Sequence, residues 1–210
     1  ERQGAETPAS PRLSHARGQA RLAPVTDSAY LAGRLLLAMP GMGDPRFDHA
    51  VVALYVHDQH GALGICTGRI NRRLTFHELL ADVGIDPGVA PDCPVLEGGP
   101  VEPQRGFVLH SAEWQGPGTI LAPPLGALTA SIEVLKAIAA GTGPRHWLVA
   151  LGYAGWGAGQ LDEEMRHHGW FAAQGHHEVL FKTPAEERWR AAWKAEGIDP
   201  ALLASQTGRA

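Results

Sequence analysis

The segment from Trp147 to Leu161, WLVALGYAGWGAGQL, joins an apolar run to a glycine-rich motif, and three acidic residues, 162–164, follow it. The run WLVALGY predicts a buried strand, the glycines after it predict a loop, and GQLDEEMRHHG predicts a helix. A core strand that leads through a glycine loop into a helix is also a geometry that binds phosphate on backbone amides. The segment therefore bears on both the fold and the function.

Two features of this motif disfavour phosphate binding. The patterns GxxxxGK[ST] and GxGxxG are both absent, and the acidic residues 162–164 would repel an anion by about 1 kcal/mol each at the start of the helix. Two interpretations remain for the aromatic residues. Either Tyr153 and Trp156 fill the core while the glycines allow close backbone packing, or they line a neutral or cationic pocket together with Gln160. We favour the scaffold interpretation.

The composition is that of one globular domain with a substantial core, since 44% of the 210 residues are hydrophobic. Residues 1–29 are rich in Ala, Pro, Ser, Gly and Arg and lack periodicity, which predicts a disordered extension before a single domain over 30–210. The two cysteines, Cys66 and Cys93, are typical of reduced thiols in a cytoplasmic protein. No apolar run approaches the ~20 residues that span a bilayer, so we expect a cytoplasmic location and no membrane partner.

Elements on either side of the opening segment predict a mixed fold. The patterns Thr75–Glu78 and Thr183–Glu186 each predict a capping box at the start of a helix, and Trp189 and Trp193 share one face of the second helix. Another helical pattern stops at Gly141. The predicted strands are LLLAM (35–39), AVVALYV (50–56), GALGICTG (61–68), VLEGGPV (95–101), RGFVLHS (105–111), GTILA (118–122), WLVALGY (147–153) and HEVLFK (177–182). Strands that come in a group and then alternate with helices favour an α+β fold over an all-parallel sheet.

The eleven histidines predict no metal site. His57 and His60 have HxxH spacing but flank a predicted turn without a nearby cysteine. The adjacent pairs 167–168 and 176–177 would point in different directions on a helix or a strand, so they are poorly placed to chelate one ion. We expect neither a metal nor a cofactor.

Candidate nucleophiles are equally weak. Ser111 follows His110 on a predicted strand, where neighbours face opposite ways, and there is no GxSxG elbow. Cys66 lies in an apolar strand, where a thiol is usually inert. The sequence therefore predicts no catalytic residue.

The densest positive charge within the predicted domain is the group Arg69, Arg72 and Arg73 in GRINRRL. It is the best candidate contact for an anionic partner, and Arg46 and Arg105 would join it if their loops converge. The net charge of -4 argues against a surface that attracts nucleic acid as a whole.

Three segments together resemble one family. LAGRLLLAMPGMGDPRFDHAVVALYVHDQHGALGI, LEGGPVEPQRGFVLH and LGYAGWGAGQLDEEM, followed by a late Trp helix and a short GID segment, are similar to the AlgH family, also called YqgE. The resemblance covers residues 30–208. The positions that match the family motifs are Pro40, Asp44, Phe47, His57, Asn71, Gly98, Gly99, Pro100, Arg105, His110, Gly152, Tyr153, Gly155, Trp156, Gly159, Gln160 and Leu161.

The resemblance implies a bacterial, cytoplasmic α+β protein with a mixed, bifurcated β-sheet that curls into a pseudo-barrel flanked by short helices. It also implies a regulator, of transcription by the family's label, with no established activity and no catalytic residue to carry over. The sequence departs from the family pattern around residues 64–74, where GICTGRINRRL is longer than usual and has Arg73 in place of the expected proline.

Two functions follow as hypotheses. The first is a regulator that acts through a protein or small-molecule partner rather than by catalysis; direct specific DNA binding is not expected, because no helix-turn-helix pattern is present. The alternative is a ligand-binding protein or enzyme. Its pocket would use Arg105, His110, Tyr153, Trp156 and Gln160.

Overall fold

The computed structural model describes residues 30–167 and 169–204. The predicted extension over 1–29 lies outside these residues. The strands are β1 (Leu35–Ala38), β2 (Val51–Asp58), β3 (Gly61–Cys66), β4 (Ile70–Thr75), β5 (Pro94–Glu97), β6 (Val101–His110), β7 (Ile120–Ala122), β8 (Gly126–Thr129), β9 (Trp147–Gly157) and β10 (Trp170–Ala173). The α-helices are α1 (Phe76–Asp82), α2 (Ile132–Ala139), α3 (Gln160–Arg166), α4 (His177–Lys182), α5 (Arg188–Ala195) and α6 (Pro200–Ala204), and short 3-10 turns span Pro45–Phe47 and Ala185–Glu187.

One sheet contains all ten strands, and β9 is the strand at which it divides. The main path runs β10-β1-β2-β3-β9-β6-β8-β7, while β4 and β5 branch from β9. All pairs are antiparallel except β5 with β9. The predicted α+β class and the bifurcated sheet are therefore confirmed.

The branch lies along one edge of β9. β6 occupies the other edge, while β5 pairs with residues 149–151 and β3 pairs with residues 154–157. Between these partners, Gly98 N donates to Leu151 O (2.7 Å), and Gly98 O accepts from Cys66 N (2.8 Å). The chain after β5 thus bridges β9 and β3 at the point where the sheet divides.

Gly152 makes this branch possible. Its φ is +76°, and a Cβ at this position would lie 2.4 Å from Gly99 O. A side chain would meet both the left-handed backbone and a neighbouring carbonyl, so the position requires glycine.

The motif predicted as a glycine loop is therefore largely strand, and that prediction is wrong. β9 continues through Gly157 because the backbone of residues 154–157 pairs with β3. Ala158 and Gly159, the latter with φ +71°, form the turn into α3.

The sheet curls without closing. β7, at one end of the path, comes back against β2 near the middle. Gly33 packs so closely on the Pro123 carbonyl that a Cβ would lie 2.2 Å from its oxygen. Between the curled strands and α5 lies a core that includes Tyr55 and Trp193.

Two local predictions are wrong near the C-terminal end of the described residues. HEVLFK is helix α4 rather than a strand, because Glu178 and Lys182 pair one turn apart (2.6 Å) and only Leu180 is buried. The last strand is β10. The Thr183–Glu186 capping box does not form either, since Pro184 remains extended (ψ 145°) and begins a 3-10 turn before α5. The Thr75–Glu78 box does form, with both reciprocal hydrogen bonds.

None of the helices in the described part of the chain is long and apolar enough to cross a membrane.

The branch geometry predicts a large effect of Gly152→Ala. We expect the variant to lose about 2–4 kcal/mol of unfolding free energy, because the new Cβ adds left-handed backbone strain and a backbone clash. Urea denaturation measures this loss. The control is Gly106→Ala, since Gly106 lies in β6 with nothing within 4 Å of its would-be Cβ. Equal midpoints for the two variants would contradict the role of Gly152.

Candidate functional site

Two adjoining cavities lie where the branch of the sheet meets the 3-10 turn Pro45–Phe47 and α3. Each has a volume of about 450 Å³. We call the first the arginine cavity; its lining includes Arg46, Arg69, Asn71, Glu97, Pro100 and Glu186. We call the second the tryptophan cavity; its lining includes Asp44, Phe47, Trp156, Gln160, Glu164 and Trp170. Arg46, Phe47 and Pro100 line both cavities.

The wall between the cavities is fixed by Asp44. Its carboxylate accepts from Arg46 N (2.9 Å) and from the Arg46 guanidinium (2.7 to 3.1 Å), which caps the 3-10 turn. The Arg46 side-chain hydrogen bonds hold the pKa of the Asp44 carboxyl below its usual range. Phe47 is directed onto Trp170, with ring centroids 5.4 Å apart. The turn therefore supplies both an ion pair and an aromatic ring to the site.

Glu164 organises the tryptophan cavity. Its Oε2 accepts from Trp156 Nε1 (2.9 Å) and from Trp170 Nε1 (2.8 Å), and its Oε1 accepts from Gln160 Nε2 (3.0 Å). Both indoles are buried and lie T-shaped to each other at 6.0 Å. One carboxylate thereby joins β9, α3 and β10.

The tryptophan cavity contains two of the five predicted pocket residues. Trp156 is mostly packed in the core yet lines the cavity, and Gln160 is exposed at its rim, where its Oε1 accepts from Gly157 N (3.0 Å). The scaffold and pocket interpretations are thus not mutually exclusive for Trp156. The same side chain fills the core and forms a cavity wall.

Arg105 and Tyr153 lie elsewhere, around Glu102. Tyr153 donates its hydroxyl to Glu102 Oε1 (3.3 Å), and Arg105 donates to Oε2 of the same carboxylate (3.2 Å). The Arg105 guanidinium also lies 5.2 Å from the centre of the Phe107 ring. These two candidates share a contact but do not face the tryptophan cavity.

His110 is fully buried in a directed chain of hydrogen bonds. Because Ser111 O can only accept, His110 Nδ1 carries the proton and donates to it (3.0 Å). Nε2 therefore accepts from Thr129 Oγ1 (2.9 Å), which accepts from Thr119 Oγ1 (2.7 Å). Thr119 Oγ1 in turn accepts from Gly116 N (3.0 Å). His110 is a core residue with every hydrogen-bonding atom satisfied, and the five predicted residues do not meet in one pocket.

The basic residues divide between two sides of β4. Arg69 donates to Pro45 O (3.0 Å) and shares the arginine cavity with Arg46, so these two positions do converge. Arg72 and Arg73 are exposed along β4 and line a shallower cavity beyond it. Arg105 does not join them.

The candidate nucleophiles have unreactive surroundings. Burial raises the pKa of the Cys66 thiol to about 12 and that of Cys93 to about 11, so both are protonated at neutral pH. Ser111 Oγ donates to Glu113 Oε1 (2.7 Å) and accepts from His146 N (3.1 Å), which ties a loop to β9. Within the described residues, no group of three or more His, Cys, Asp or Glu side chains is placed to hold a metal ion.

Sequence reasoning missed Glu164 and Trp170. The acidic residues 162–164 had the pattern of an ordinary helix surface, and Trp170 lay in a segment with no predicted strand. The spacing of Gln160 and Glu164, one helical turn apart, was the available signal that these two side chains meet. Nothing local in the sequence placed Trp170 beside them.

The architecture places the protein in the class of α+β proteins whose curled sheet divides at one central strand. A family model described as AlgH-like matches residues 35–201. The chain belongs to this AlgH-like family.

Relatives of known name agree with this assignment. A UPF0301 protein of Novosphingobium aromaticivorans is 63% identical over 186 residues, covering 89% of this chain and 100% of the relative. A UPF0301 protein of Rhizorhabdus wittichii is 54% identical over 182 residues, covering 87% and 98%.

Two solved structures are similar. The solution structure of AlgH from Pseudomonas aeruginosa matches with a TM-score of 0.69 and 38% identity, covering 88% of this chain and 98% of that protein. A protein from Corynebacterium diphtheriae matches with a TM-score of 0.66 at 17% identity, covering 82% and 91%, which supports the fold alone.

The buried His110 and the partly buried His177 predict acid sensitivity. Burial lowers the pKa of His110 and, together with the charge of His146, that of His177. The unfolded chain then binds more protons than the folded one below the usual histidine pKa of about 6.5. We expect the unfolding free energy to be constant above that pH and to fall as the pH decreases from about 6.5 to 5, measured by urea denaturation.

His177→Gln isolates the contribution of His110. It removes the second histidine with a lowered pKa, and part of the slope should remain. Glu113 does not interfere in this pH range. Burial raises the pKa of its carboxyl, but hydrogen bonds from Arg145 N and Ser111 Oγ outweigh that effect and hold the pKa at about 2. The stability that Glu113 contributes is therefore lost only below a pH of about 4.5. A flat profile between pH 5 and 7 in His177→Gln would refute the neutral His110.

Proposed function

We propose that this AlgH-like protein is a regulator that acts by binding a small-molecule or protein partner rather than by catalysis. The observation that carries the proposal is the convergence of family-motif positions on the two cavities. Phe47, Pro100 and Trp156 come from three distant motifs, and all three line the tryptophan cavity. Asn71, from a further part of the chain, and Gly99, which precedes Pro100, line the arginine cavity.

The size and lining of the cavities suit small ligands. A volume of about 450 Å³ lies within the range of ligand pockets, which combine apolar walls with a few fixed polar groups. Here Phe47 and Trp156 supply apolar wall, and Arg46, Gln160 and Glu164 supply polar groups that are already held by neighbours. Such preorganisation lowers the entropic cost of binding.

Binding is favoured over catalysis by the state of the reactive groups. Ser111 is engaged with Glu113 and the His146 backbone, and the one ring nitrogen of His110 able to act as a base already accepts from Thr129. The two thiols are held neutral by burial. None of these candidate nucleophiles therefore has a free base beside it.

If the protein acts in transcription, as the family's label suggests, it would do so by binding a partner rather than by binding DNA directly. The exposed arginines of β4 are few, and Asp48, Glu97 and Glu186 line the arginine cavity beside Arg46 and Arg69. A groove of mixed charge is a poor surface for a phosphate backbone.

A cavity-filling variant tests ligand binding. Gly155 lines the tryptophan cavity, and its would-be Cβ lies 3.9 Å from Val101, which also lines it, and 3.1 Å from the edge of the Tyr153 ring. We expect Gly155→Leu to fill part of the cavity and to weaken retention of cellular small molecules at least about tenfold, which corresponds to ~1.4 kcal/mol. Mass spectrometry of compounds retained from a bacterial extract measures this.

Gly106→Leu is the matched control, since Gly106 also lies in a strand but has open space around it and lines neither cavity. Equal retention by the wild type and Gly155→Leu would contradict a ligand site in the tryptophan cavity. Chemical conversion of a retained compound by the wild type would favour an enzyme instead.

Gel-shift titration tests whether the protein binds DNA directly. We expect no sequence-selective complex near physiological salt, and any binding to be no tighter than the ~10⁻⁴ to 10⁻⁶ M typical of non-specific association. A selective complex that survives physiological salt, and that is lost in Arg72→Ala/Arg73→Ala, would overturn this expectation.

A further inference from the structure

The tryptophan cavity carries a negative charge that forms no ion pair within the described part of the chain, residues 30–167 and 169–204. Four titratable side chains line it: Asp44, Arg46, Glu164 and His167. Asp44 and Arg46 neutralise each other at 2.7 Å, and His167 lies against Glu163. Among the described residues, Glu164 forms no ion pair; its three partners, the Trp156 and Trp170 indoles and the Gln160 amide, are neutral donors.

The scaffold role of Glu164 does not require that charge. A neutral amide oxygen could accept the same two indole N–H bonds, and the Gln160 side chain has its other end on Gly157 N. A half-buried carboxylate instead incurs a desolvation cost that a neutral group would avoid. The charge therefore points to a cationic group beyond those that the described residues supply.

The remaining lining of the cavity is what an organic cation prefers. Phe47, Trp156 and Trp170 surround it with aromatic rings, packed edge to face at 5.4 and 6.0 Å, and Met42 adds a polarisable thioether. Aromatic rings attract cations through their quadrupole, by roughly 0.5 to 2 kcal/mol per contact as solvent is excluded. Three of the roughly four acceptor positions of the Glu164 carboxylate are used, which leaves one on Oε1 for a ligand.

We propose that the tryptophan cavity binds a small organic cation, an ammonium group with apolar substituents, between the aromatic rings and the Glu164 carboxylate. This inference rests on the proposed ligand-binding function and specifies its ligand class. The volume of about 450 Å³ is ample for a tetraalkylammonium head with a short chain.

A pair of probes matched in shape but not in charge tests the proposal. Choline and 3,3-dimethyl-1-butanol have nearly the same shape, but only choline is charged. Binding is followed at constant ionic strength through the indole N–H signals in ¹⁵N–¹H spectra of the full chain, which has six tryptophans. Trp156→Phe and Trp170→Phe assign the two relevant signals. We expect choline to shift both signals saturably and to bind at least about tenfold more tightly than the alcohol.

Two glutamate variants separate charge from scaffold. Glu164→Gln should weaken choline binding about tenfold or more while changing binding of the neutral alcohol little. Glu133→Gln, which lies on α2 and is paired with Lys136 at the surface, should bind choline as the wild type does. If Glu164→Gln disturbs the fold, its alcohol binding and indole spectrum change as well, and Phe47→Leu then serves as the second variant, with a selective loss of choline binding expected.

The outcomes distinguish this inference from the proposed function. If the alcohol binds as tightly as choline, or if Glu164→Gln and Phe47→Leu both keep full choline affinity, the cation proposal is overturned while a ligand site remains. If neither probe shifts the two indole signals, the cation proposal is also overturned. The extract experiment with Gly155→Leu then decides separately whether the cavity binds any ligand.

Discussion

The structure depends on one constraint: a single edge of β9 pairs with two different strands in succession. A strand edge offers a fixed ladder of N–H and C=O groups, and a buried ladder that changed partners without a bridge would leave some of them unpaired. Gly98 supplies that bridge by donating to Leu151 and accepting from Cys66. The tight approach of Gly99 to Gly152 brings the two backbones close enough for it. From this branch the β5 side and the β3 side diverge, and both cavities open beside the divergence.

The cavities are thus a consequence of the fold rather than an addition to it. Where a sheet divides, the two diverging branches cannot pack against each other, and some other element must cover the gap. In this protein the cover is a loop with a 3-10 turn on one side and the seven-residue helix α3 on the other, both short elements that leave space. Asp44 and Glu164 then fix these covers by hydrogen bonds, so the space is bounded by groups with defined positions. Preorganised polar groups around an apolar gap are the usual composition of a ligand site.

Sequence patterns predicted the elements that depend on local physics. The capping box at Thr75 and the turn between β2 and β3 were predictable because a few neighbouring residues determine them. The helix over HEVLFK was not, because three apolar residues in a row fit a strand or a helix equally well until tertiary packing buries only Leu180. The candidate site divides in the same way. Trp156 and Gln160 were found from one motif, and Glu164 lies one helical turn after Gln160, a spacing that the sequence does show. The contacts of Glu164 with Trp156 and Trp170, in contrast, correspond to no spacing in the sequence.

At the glycine motif, the folded geometry determines whether the site favours an anionic or a cationic ligand. A phosphate needs free backbone amides at a helix N-terminus, but Gly157 N is already bonded to the Gln160 side chain and the amides before it face β3 or β6. The first turn of α3 also carries Asp162 and Glu163, which oppose an anion. With acidic side chains in the first turn of α3 and no ion pair to the Glu164 carboxylate among the described residues, the charges at this end of β9 favour a cation. The glycines allow the backbone to branch and turn there, and the side chains around them, not the amides, determine what can bind.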